Sequence, residues 1–362
     1  MRVHLAALIP AFNEEAVIGQ TIESIILAGM PCQDIYLIND GSIDKTAEIA
    51  KSFGVNTLNN QKNLGKAGSV ANAIMELNLL DRYSHISFLD ADTIVDPKYF
   101  QAVRNRLSND LRLCERRSKG VWKRRAIGVL CGKAKSIPHN WLTAFRAYEY
   151  WLTHAIHKPA QEQLRVILVA PGCASTYSVT TLQKVMWSDD TVVEDMDTTI
   201  QAALAGEKIA YEEKAVVYTQ DPRRLRDYVG QIGRRWYPGT WQVMGKHKLL
   251  SKGLFSRIHW ECRIMTLEPV VYLGSLIWTS WKHPQYLLWM IAVSFAVTVG
   301  LALVASSRER RFDIVKFSPI FPLILFLNLL LFVGMSGNIR GKKRTSSRQS
   351  KWYSPKRYAI KN

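Results

Sequence analysis

Apolar stretches of two kinds alternate through the first half of the chain. The short ones are rich in Val, Ile and Leu and have the length of buried strands: "VHLAALIPAF", "DIYLIND", "GVNTLN" and "ISFLD". Between them apolar residues recur at helical spacing, in "EEAVIGQTIESIILAGM", "KTAEIAKSFG" and "GKAGSVANAIMELNLL". This alternation predicts an α/β fold, in which a mostly parallel sheet carries helices on both faces.

The stretches that follow are less regular. The segment "TVVEDMDTTIQAALAGEKIAYEEKAVVYTQDP" predicts a loop, a helix and two short strands. In residues 223–265, apolar residues interleave with Lys, Arg and His. That pattern is typical of helices that lie along the face of a bilayer.

Two stretches near the C-terminus are long and uncharged. Residues 284–307 and 317–339 contain no charged residue, and each is long enough to cross a hydrocarbon core of about 30 Å. They therefore predict two transmembrane helices. A third uncharged stretch, residues 269–281, is shorter and follows Glu268, so it is predicted to be interfacial or re-entrant.

The net charge of +18 is concentrated in a few places. Nine Lys and Arg residues lie in the tail, residues 340–362, as in cytoplasmic segments that contact anionic lipids. Because this charge adjoins a predicted span and the sequence contains no stacking-platform motif, we expect membrane lipids, and not nucleic acid, as the partner. A second basic cluster, residues 112–125, is predicted to be a solvated loop, with contact to the membrane surface or to an acidic substrate as the alternative.

The N-terminus and the cysteines indicate a cytosolic domain. The start, "MRVHLAALIPAFNEE", has the features of a first strand and not of a signal peptide, so residues up to about 260 are expected to be cytosolic. The five cysteines are odd in number and have no C-x-x-C spacing. They are therefore expected to be reduced thiols, not a disulfide framework or a zinc site.

Polar side chains follow several predicted strands. They are Asn13, Glu14, Asn39, Asp40, Asp90 and Asp92. In doubly wound sheets, ligands bind at the carboxyl ends of the strands. The pair Asp90 and Asp92 suits a divalent cation that also binds a diphosphate, although turns and helix caps produce the same spacing.

Five motifs occur in an order that resembles the family 2 glycosyltransferases. They are "IPAFNEE" (residues 9–15), "INDGS" (38–42), "LDAD" (89–92), "VVEDMD" (192–197) and "QIGRRW" (231–236). The resemblance extends to about residue 245 and is closest to the membrane-embedded synthases of cellulose, chitin, hyaluronan and poly-N-acetylglucosamine. It implies an α/β glycosyltransferase-A (Rossmann-like) nucleotide-sugar domain, followed by interfacial helices and a C-terminal transmembrane helix hairpin.

The resemblance also implies an organisation. We expect a cytosolic glycosyltransferase domain in residues 1–245, a basic amphipathic interfacial segment in 246–283, two transmembrane helices in 284–339 and a basic cytoplasmic tail in 340–362. Both ends of this integral membrane protein are then cytosolic. Two spans are few for a chain that builds a translocation channel alone. This favours either the transfer of a single sugar to a lipid acceptor, or a homo-oligomer or partner membrane subunit that supplies further helices.

The residues of the donor site follow from the resemblance. Pro10, Asn13 and Glu14 border the pocket for the base and ribose, and Asp40 accepts a hydrogen bond from uracil. Asn63, Gly65 and Lys66 belong to the segment after the third strand, with Lys66 facing the phosphates or, alternatively, serving as an ordinary helix-start lysine. Asp90 points toward the ribose or the donor sugar, and Asp92 binds Mg²⁺ or Mn²⁺. The chain departs from the family at Asn39, where a second acid is usual.

The catalytic and acceptor residues follow in the same way. Asp195 matches the base that an inverting transfer needs, Glu194 and Asp197 flank it, and residues 171–175 form the turn beneath the acceptor. The residues assigned to the acceptor and the diphosphate are Glu194, Gln231, Arg234, Arg235 and Trp236. Gln231 lies four residues before Arg235, where the family spacing is three. Trp236 is also compatible with an ordinary anchor at the membrane interface.

Two enzymatic functions fit these features. The first is the inverting transfer of a hexose or N-acetylhexosamine from a UDP-sugar to a membrane-associated glycan, which makes the chain a β-linked polysaccharide synthase. The alternative is the transfer of a single sugar to a lipid acceptor. A non-catalytic binding protein is disfavoured, because Asp92 and Asp195 are both present. The sugar, the linkage and the acceptor stay open.

Overall fold

Eight strands form a single sheet in the computed structural model, which describes residues 3–117, 125–187, 190–251, 253, 256–336 and 358. They are β1 (Leu5–Ala11), β2 (Ile35–Asn39), β3 (Asn56–Asn59), β4 (His85–Phe88), β5 (Ile94–Val95), β6 (Ile127–Ser136), β7 (Ser175–Ser178) and β8 (Lys208–Thr219). Their order is β3-β2-β1-β4-β7-β6-β8-β5.

The sheet is mixed. Strands β1 to β4 are parallel, and the carboxyl ends of three of them are in register, with Ala11 opposite Asn39 and Asn39 opposite Asn59. Strand β7 pairs antiparallel with β4 and β6, and β5 pairs antiparallel with β8. The predicted α/β class is confirmed, and the parallel pairing holds for the first half of the sheet.

Fifteen α-helices complete the described part of the chain. They are α1 (Ile18–Leu27), α2 (Thr46–Ser52), α3 (Gly65–Glu76), α4 (Leu79–Arg82), α5 (Tyr99–Arg117), α6 (Trp141–Leu152), α7 (Lys158–Leu164), α8 (Val179–Leu182), α9 (Glu194–Leu204), α10 (Leu225–Val229), α11 (Tyr237–Lys246), α12 (Arg257–Lys282), α13 (Pro284–Glu309), α14 (Phe312–Phe317) and α15 (Phe321–Ser336). Two π-helical segments, Thr153–His157 and Gly230–Trp236, are also present.

The chain divides into two units. The sheet unit comprises residues 1–135, 157–220 and 356–362, and the helical unit comprises residues 136–156 and 221–355. In the sheet unit, successive residues of β1 belong to different core clusters, with Ala7 and Ile9 in one and Ala6 and Leu8 in the other. Both faces of the sheet are therefore covered, which explains why β1 is apolar at nearly every position.

Strand β8 differs from the prediction. The sequence pattern predicts two short strands, whereas residues 208–219 form one strand of 12 residues. The charged residues Glu212, Glu213 and Lys214 lie within it, in a part that does not pair with β5, since β5 pairs only with Val217 and Tyr218. Charged side chains are tolerated on such an exposed edge, so they do not end the strand.

The helical unit has its own core. It consists of α6 and helices α10 to α15, and its buried cluster joins Phe145 and Tyr148 of α6 to Ala305 of α13, Ile314 of α14 and Phe321 of α15. Helix α6 begins at a capping box, in which the Asn140 side chain accepts from the backbone of Leu142 and Thr143.

Two helical stretches are long and apolar enough to cross a membrane. They are Pro284–Glu309 and Phe312–Gly334, and they correspond to the two predicted transmembrane helices. The second is interrupted by the 3-10 turn Ser318–Ile320. The predicted interfacial stretch 269–281 is the second half of α12, which continues through Pro269. Within the tail the structure describes only Tyr358, and part of the basic cluster, residues 118–124, also lies outside the described residues.

Candidate active site

The acidic pair lies in a tight turn after β4. The Thr93 amide donates to Asp90 O at 3.1 Å, and the Thr21 hydroxyl donates to Ala91 O at 2.7 Å. Asp92 is buried, at 4% exposure, whereas the Asp90 side chain is 36% exposed. The two carboxylates of the turn thus differ in exposure, and Asp90 is the more accessible of the pair.

Lys66 links this turn to helix α9. Its Nζ lies 2.6 Å from Asp90 Oδ1 and 3.1 Å from Glu194 Oε1. Burial lowers the pKa of Lys66, but the charges of Asp90 and Glu194, with a smaller contribution from Asp195, outweigh it and raise the pKa above its ordinary value. Lys66 is therefore a permanently charged cation between two acidic segments.

Gly172 makes room for the Lys66 ammonium. A Cβ at this position would lie 2.7 Å from Lys66 Nζ and 3.8 Å from Asp195 Cβ. Any other residue would make the lysine head group shift, so glycine allows this close approach. The Gly172 amide also points to Asp195 Oδ2, at 3.4 Å. The predicted acceptor turn, residues 171–175, thus lies against both Lys66 and Asp195.

Three acids lie in the first turn of α9, and their burial distinguishes them. Glu194 is 6% exposed and Asp197 is 1% exposed, whereas Asp195 is partly exposed. The Asp197 carboxylate accepts from Gln201 Nε2 within the helix, at 3.2 Å. The helix N-terminus favours ionised carboxylates. Asp195 is consequently the acid of this turn with the best access to a substrate.

Asp40 lies at the carboxyl end of β2, as predicted. Its Oδ1 accepts from Asn60 Nδ2 at 3.0 Å and from the Leu64 amide at 2.8 Å. Among the described residues, none donates to its Oδ2. Gly41 follows with φ +75°, and a Cβ there would lie 3.0 Å from Asn63 N. The loops after β2 and β3 are therefore in close contact, and one oxygen of Asp40 is available to an N–H donor.

The neighbouring polar residues brace these loops. Asn13, at φ 56°, accepts from the Ile43 amide through Oδ1 at 3.0 Å, and the Glu14 amide donates to Thr46 Oγ1 at 2.9 Å. Asn39, which replaces the usual acid, donates to Asn59 Oδ1 and accepts from the Ser42 amide. The NH₂ group and the carbonyl oxygen of the Asn39 side chain are thus both used in hydrogen bonds that hold the loops after β2 and β3. Pro10 lies on β1 opposite Ile38.

The last motif lies in the helical unit and forms the π-helical segment Gly230–Trp236. A π-turn adds one residue to a helical turn. The additional residue between Gln231 and Arg235 is thus taken up by the wider turn, and we expect these two side chains to stay on one face. Gln231 Oε1 is buried and has no hydrogen-bond partner within the described residues.

Trp236 ends this segment and is 44% exposed. Its ring meets the ring of Tyr237 edge-on, with centroids 5.8 Å apart. Tyr237 in turn packs on Phe332, which also contacts Trp241. The indole is thus supported from one side and keeps an accessible apolar surface. Arg234 and Arg235 precede it in the last turn.

Comparison with known proteins identifies the chain. The family described as "Glycosyltransferase like family 2" matches residues 2–239. The chain belongs to this glycosyltransferase family. Its sheet and strand-end motifs are those of a glycosyltransferase-A domain. The predicted resemblance to the family 2 glycosyltransferases is confirmed.

Curated relatives resemble the glycosyltransferase over most of its length. The poly-β-1,6-N-acetyl-D-glucosamine synthase of Staphylococcus epidermidis is 23% identical over 337 residues, which cover 91% of this chain and 73% of the relative. The uncharacterized glycosyltransferase YaiP of Escherichia coli is 27% identical over 285 residues, with 76% and 65% covered. The chain thus spans between 65% and 73% of the length of these two relatives.

A solved structure shares the fold. The mannosyltransferase PcManGT from Pyrobaculum calidifontis, in complex with GDP-mannose and Mn²⁺, superposes with a TM-score of 0.56 at 14% identity. The match covers 90% of this chain and 88% of that one. At this identity the match supports the fold only.

The acidic pair of the glycosyltransferase fits a hard divalent cation. Among the described residues there is no group of three or more His, Cys, Asp or Glu side chains that could hold a metal. The Cys173 thiol is nearby, but burial, and then the charges of Asp90 and Asp92, raise its pKa well above the ordinary value. A protonated thiol is a poor ligand. The carboxylate oxygens of Asp90 and Asp92 therefore suit Mg²⁺ or Mn²⁺, which takes its other ligands from phosphate and water.

Two features of the site are absent from the sequence interpretation. One is the contact between Lys66 and Glu194, since sequence motifs do not report which distant side chains pair. The other is Lys158, which is 6% exposed and donates through Nζ to Val169 O. Burial lowers the pKa of Lys158, and the charges of Cys131 and Asp195 partly offset this. Nothing in "AIHKPA" distinguishes this buried lysine from a surface one.

Proposed function

We propose that this glycosyltransferase moves a hexose or N-acetylhexosamine from a UDP-sugar to a membrane-associated glycan, with inversion at the anomeric carbon. The observation that carries the proposal is the placement of Asp195, a partly exposed carboxylate at a helix N-terminus, beside the Lys66 and Asp90 pair. The poly-β-1,6-N-acetyl-D-glucosamine synthase among its relatives favours N-acetylglucosamine as the sugar.

Asp195 acts as the general base in this proposal. It accepts the proton of the acceptor hydroxyl while that oxygen forms a bond to the anomeric carbon, and the bond from this carbon to the UDP oxygen breaks on the opposite face. The two other acids of the turn have different tasks, because Glu194 holds Lys66 and Asp197 accepts from Gln201. The position of Asp195 in the first turn of α9 places negative charge at the positive end of the helix dipole.

The donor is held at the strand ends. Asp40 accepts the uracil N–H through Oδ2, and Pro10, Asn13 and Glu14 border the base and ribose. Asp92 would hold a divalent cation, Mg²⁺ or Mn²⁺, which would supply positive charge against the leaving diphosphate. Lys66, which bridges Asp90 and Glu194, adds a second positive charge on the same side. Charged donors of this kind stabilise a leaving phosphate most where water is excluded.

The acceptor side is assigned to the helical unit. Trp236 offers an apolar ring to a sugar face, and Arg234 and Arg235 can bind phosphate oxygens. We further propose that the protein is an integral membrane protein with a cytosolic catalytic domain and cytosolic ends, since it has two stretches that are able to cross a bilayer.

Product analysis tests the proposal. Purified full-length protein in lipid vesicles is given Mn²⁺ and a panel of radiolabelled UDP-sugars, and the products are separated by length. A ladder of oligosaccharides from UDP-N-acetylglucosamine is expected. A single glycolipid of fixed mass at every donor concentration would support the alternative, the transfer of one sugar to a lipid. The same assay is repeated with Asp195→Asn, which should lose transfer. Asp197→Asn is the matched control, because it changes a buried acid of the same turn.

A further inference from the structure

Helices α12 and α13 form an antiparallel hairpin. They meet at His283, and the Tyr272 hydroxyl of α12 lies 3.2 Å from Ser294 Oγ of α13. Buried residues of α12 are confined to its first turns. Along both helices large apolar side chains face outward. Six that are each more than half exposed are Val271, Ile277, Trp278, Leu288, Trp289 and Val297.

The charges of the hairpin lie at its two ends. Between residues 269 and 307, the one charged residue is Lys282, at the turn. From Arg263 to Lys282, α12 rises about 28 Å at 1.5 Å per residue, which matches a hydrocarbon core of about 30 Å. Glu268 lies within this length, about 8 Å from the level of Arg263. Apart from Glu268, the exposed surface between the two ends suits lipid tails and not water.

Aromatic residues are grouped at the turn. Trp278 and Trp281 have ring centroids 6.3 Å apart, and the Lys282 ammonium lies 4.3 Å from the Trp281 ring centroid. Tyr286 follows on α13 and is 56% exposed. Tryptophan, tyrosine and lysine together are typical of the level at which a protein leaves the hydrocarbon and enters the headgroups.

The open end of the hairpin, where α12 begins and α13 ends, is held by hydrogen bonds to other parts of the helical unit. Arg311 Nη1 donates to Ser136 O at 2.6 Å, and Ser136 is the last residue of β6. The Ser306 hydroxyl donates to Arg311 O at 2.8 Å. At the start of α12, Arg263 Nε donates to Leu250 O at 3.3 Å. The link between α13 and α14 is therefore bonded to Ser136, the residue with which the helical unit begins at the end of β6.

We infer that α12 crosses the bilayer together with α13, so that Lys282 lies on the far side and Arg310 on the side of the catalytic domain. The inference rests on the proposed function, in which α13 is a membrane span, and it replaces residues 312–334 with α12 as the second crossing. If α13 crosses and its C-terminal end is bonded to Ser136, its N-terminal end lies across the membrane. The chain must then have crossed once before, and α12 is the segment that precedes α13.

The distribution of basic residues agrees with this orientation. The open end carries five arginines, whereas the turn carries one lysine: Arg257, Arg263, Arg308, Arg310 and Arg311 on one side and Lys282 on the other. Short cytoplasmic segments are enriched in Lys and Arg. A hairpin made only of α13 and residues 312–334 would place three of these arginines, with Lys316, on the far side.

Cysteine labelling in intact cells tests the inference. Lys282→Cys and Arg310→Cys each change an exposed residue outside the catalytic site, and the wild type gives the background of the five native cysteines. With an impermeant maleimide, Lys282→Cys should label at least about fivefold above the wild type in intact cells. Arg310→Cys should label above background only after permeabilisation.

Other outcomes overturn the inference. Labelling of Arg310→Cys but not of Lys282→Cys in intact cells would show that α13 and residues 312–334 form the hairpin. Protection of both positions in a protein that stays in carbonate-washed membranes would show that α12 does not cross. If the protein is recovered from the soluble fraction as a dimer with Lys282→Cys protected, a second copy covers the hairpin, and the proposed membrane location fails as well.

Discussion

Lys66→Met is the most informative change in the sheet unit, because it removes a charge and keeps most of the side-chain volume. The ammonium lies within 3.1 Å of two carboxylates, and the side chains of Lys66 and Glu194 are 14% and 7% exposed. Breaking a buried ion pair by removing one partner costs about 3–5 kcal/mol. Asp90 can recover hydration, since its side chain is 36% exposed, so about 3 kcal/mol is expected here.

Thermal unfolding of the detergent-solubilised protein measures this loss. At roughly 2–4 °C per kcal/mol for a domain of this size, the Tm should fall by about 6–12 °C. Mn²⁺ with UDP should restore part of the difference, because bound cations replace the lost positive charge near Asp90. Lys62→Met is the matched control, since Lys62 is an exposed lysine in the loop just before α3, and its Tm should change by less than about 1–2 °C.

A double-mutant cycle separates the ion pair from packing. Glu194→Gln removes the buried partner, so the double variant Lys66→Met with Glu194→Gln should be at least about 1 kcal/mol more stable than the sum of the single changes predicts. The reasoning is refuted if the two changes add, or if Lys66→Met unfolds at the wild-type temperature. Either result would mean that the lysine does not hold the first turn of α9 to the acidic turn.

Three further changes test the site, and a fourth tests the pH dependence of stability. Asp92→Ala should abolish metal-dependent UDP binding, and calorimetry that still shows Mn²⁺-dependent binding would contradict the assignment. Asp195→Asn should lower sugar transfer by about 10²-fold or more at unchanged UDP affinity. Full activity would show that another acid is the general base. Trp236→Ala should impair elongation more than donor hydrolysis, because a stacking contact of about 1 kcal/mol serves only the acceptor; equal losses would exclude it. Burial lowers the pKa of His85 to about 4, below its unfolded value of about 6.5, so this group has no effect on stability well above pH 6.5 and costs up to about 3 kcal/mol as the pH falls to 4. His85→Gln should flatten that acid limb in unfolding curves, and an unchanged slope would show that His85 is not its source.

The sequence was informative wherever a residue's role depends on its own neighbours. The acids at Asp40 and Asp90 follow apolar strands, and parallel strands bring their carboxyl ends to one edge, so their placement follows from local pattern. The contact between Lys66 and Glu194 could not be predicted in this way, because it joins two segments that are distant in sequence and lies against a third segment at Gly172. The π-helical turn is a similar case, since a one-residue change in spacing does not reveal how the backbone takes it up.

Antiparallel pairing in the second half of the sheet was also beyond the sequence pattern. Periodicity indicates that a strand is half or fully buried, but it does not give the direction of its neighbour. Strand β7 is fully buried and has Tyr177 opposite Ile86 and Val129, and its alternation would look the same in a parallel sheet. The charged residues of β8 have the opposite effect, since they suggest a break where the strand is continuous.

The C-terminal helices show why hydropathy alone does not determine which segments contact lipid. Residues 312–334 are highly apolar, yet Phe321, Ile324 and Phe332 are buried in the helical unit. Asn328, halfway along α15, donates to Glu149 at 3.2 Å and accepts from the Tyr228 hydroxyl at 2.9 Å. Some of the apolar residues of α15 therefore pack in a protein core and do not contact lipid.

Helix α12 has the reverse properties. It contains Glu268 and Pro269 and has a shorter uncharged stretch, yet its buried residues are confined to the first turns. Helix α12 is therefore the less apolar of the two helices but the more exposed one. Exposure is the better guide to lipid contact, because an apolar side chain without a protein partner needs another apolar environment.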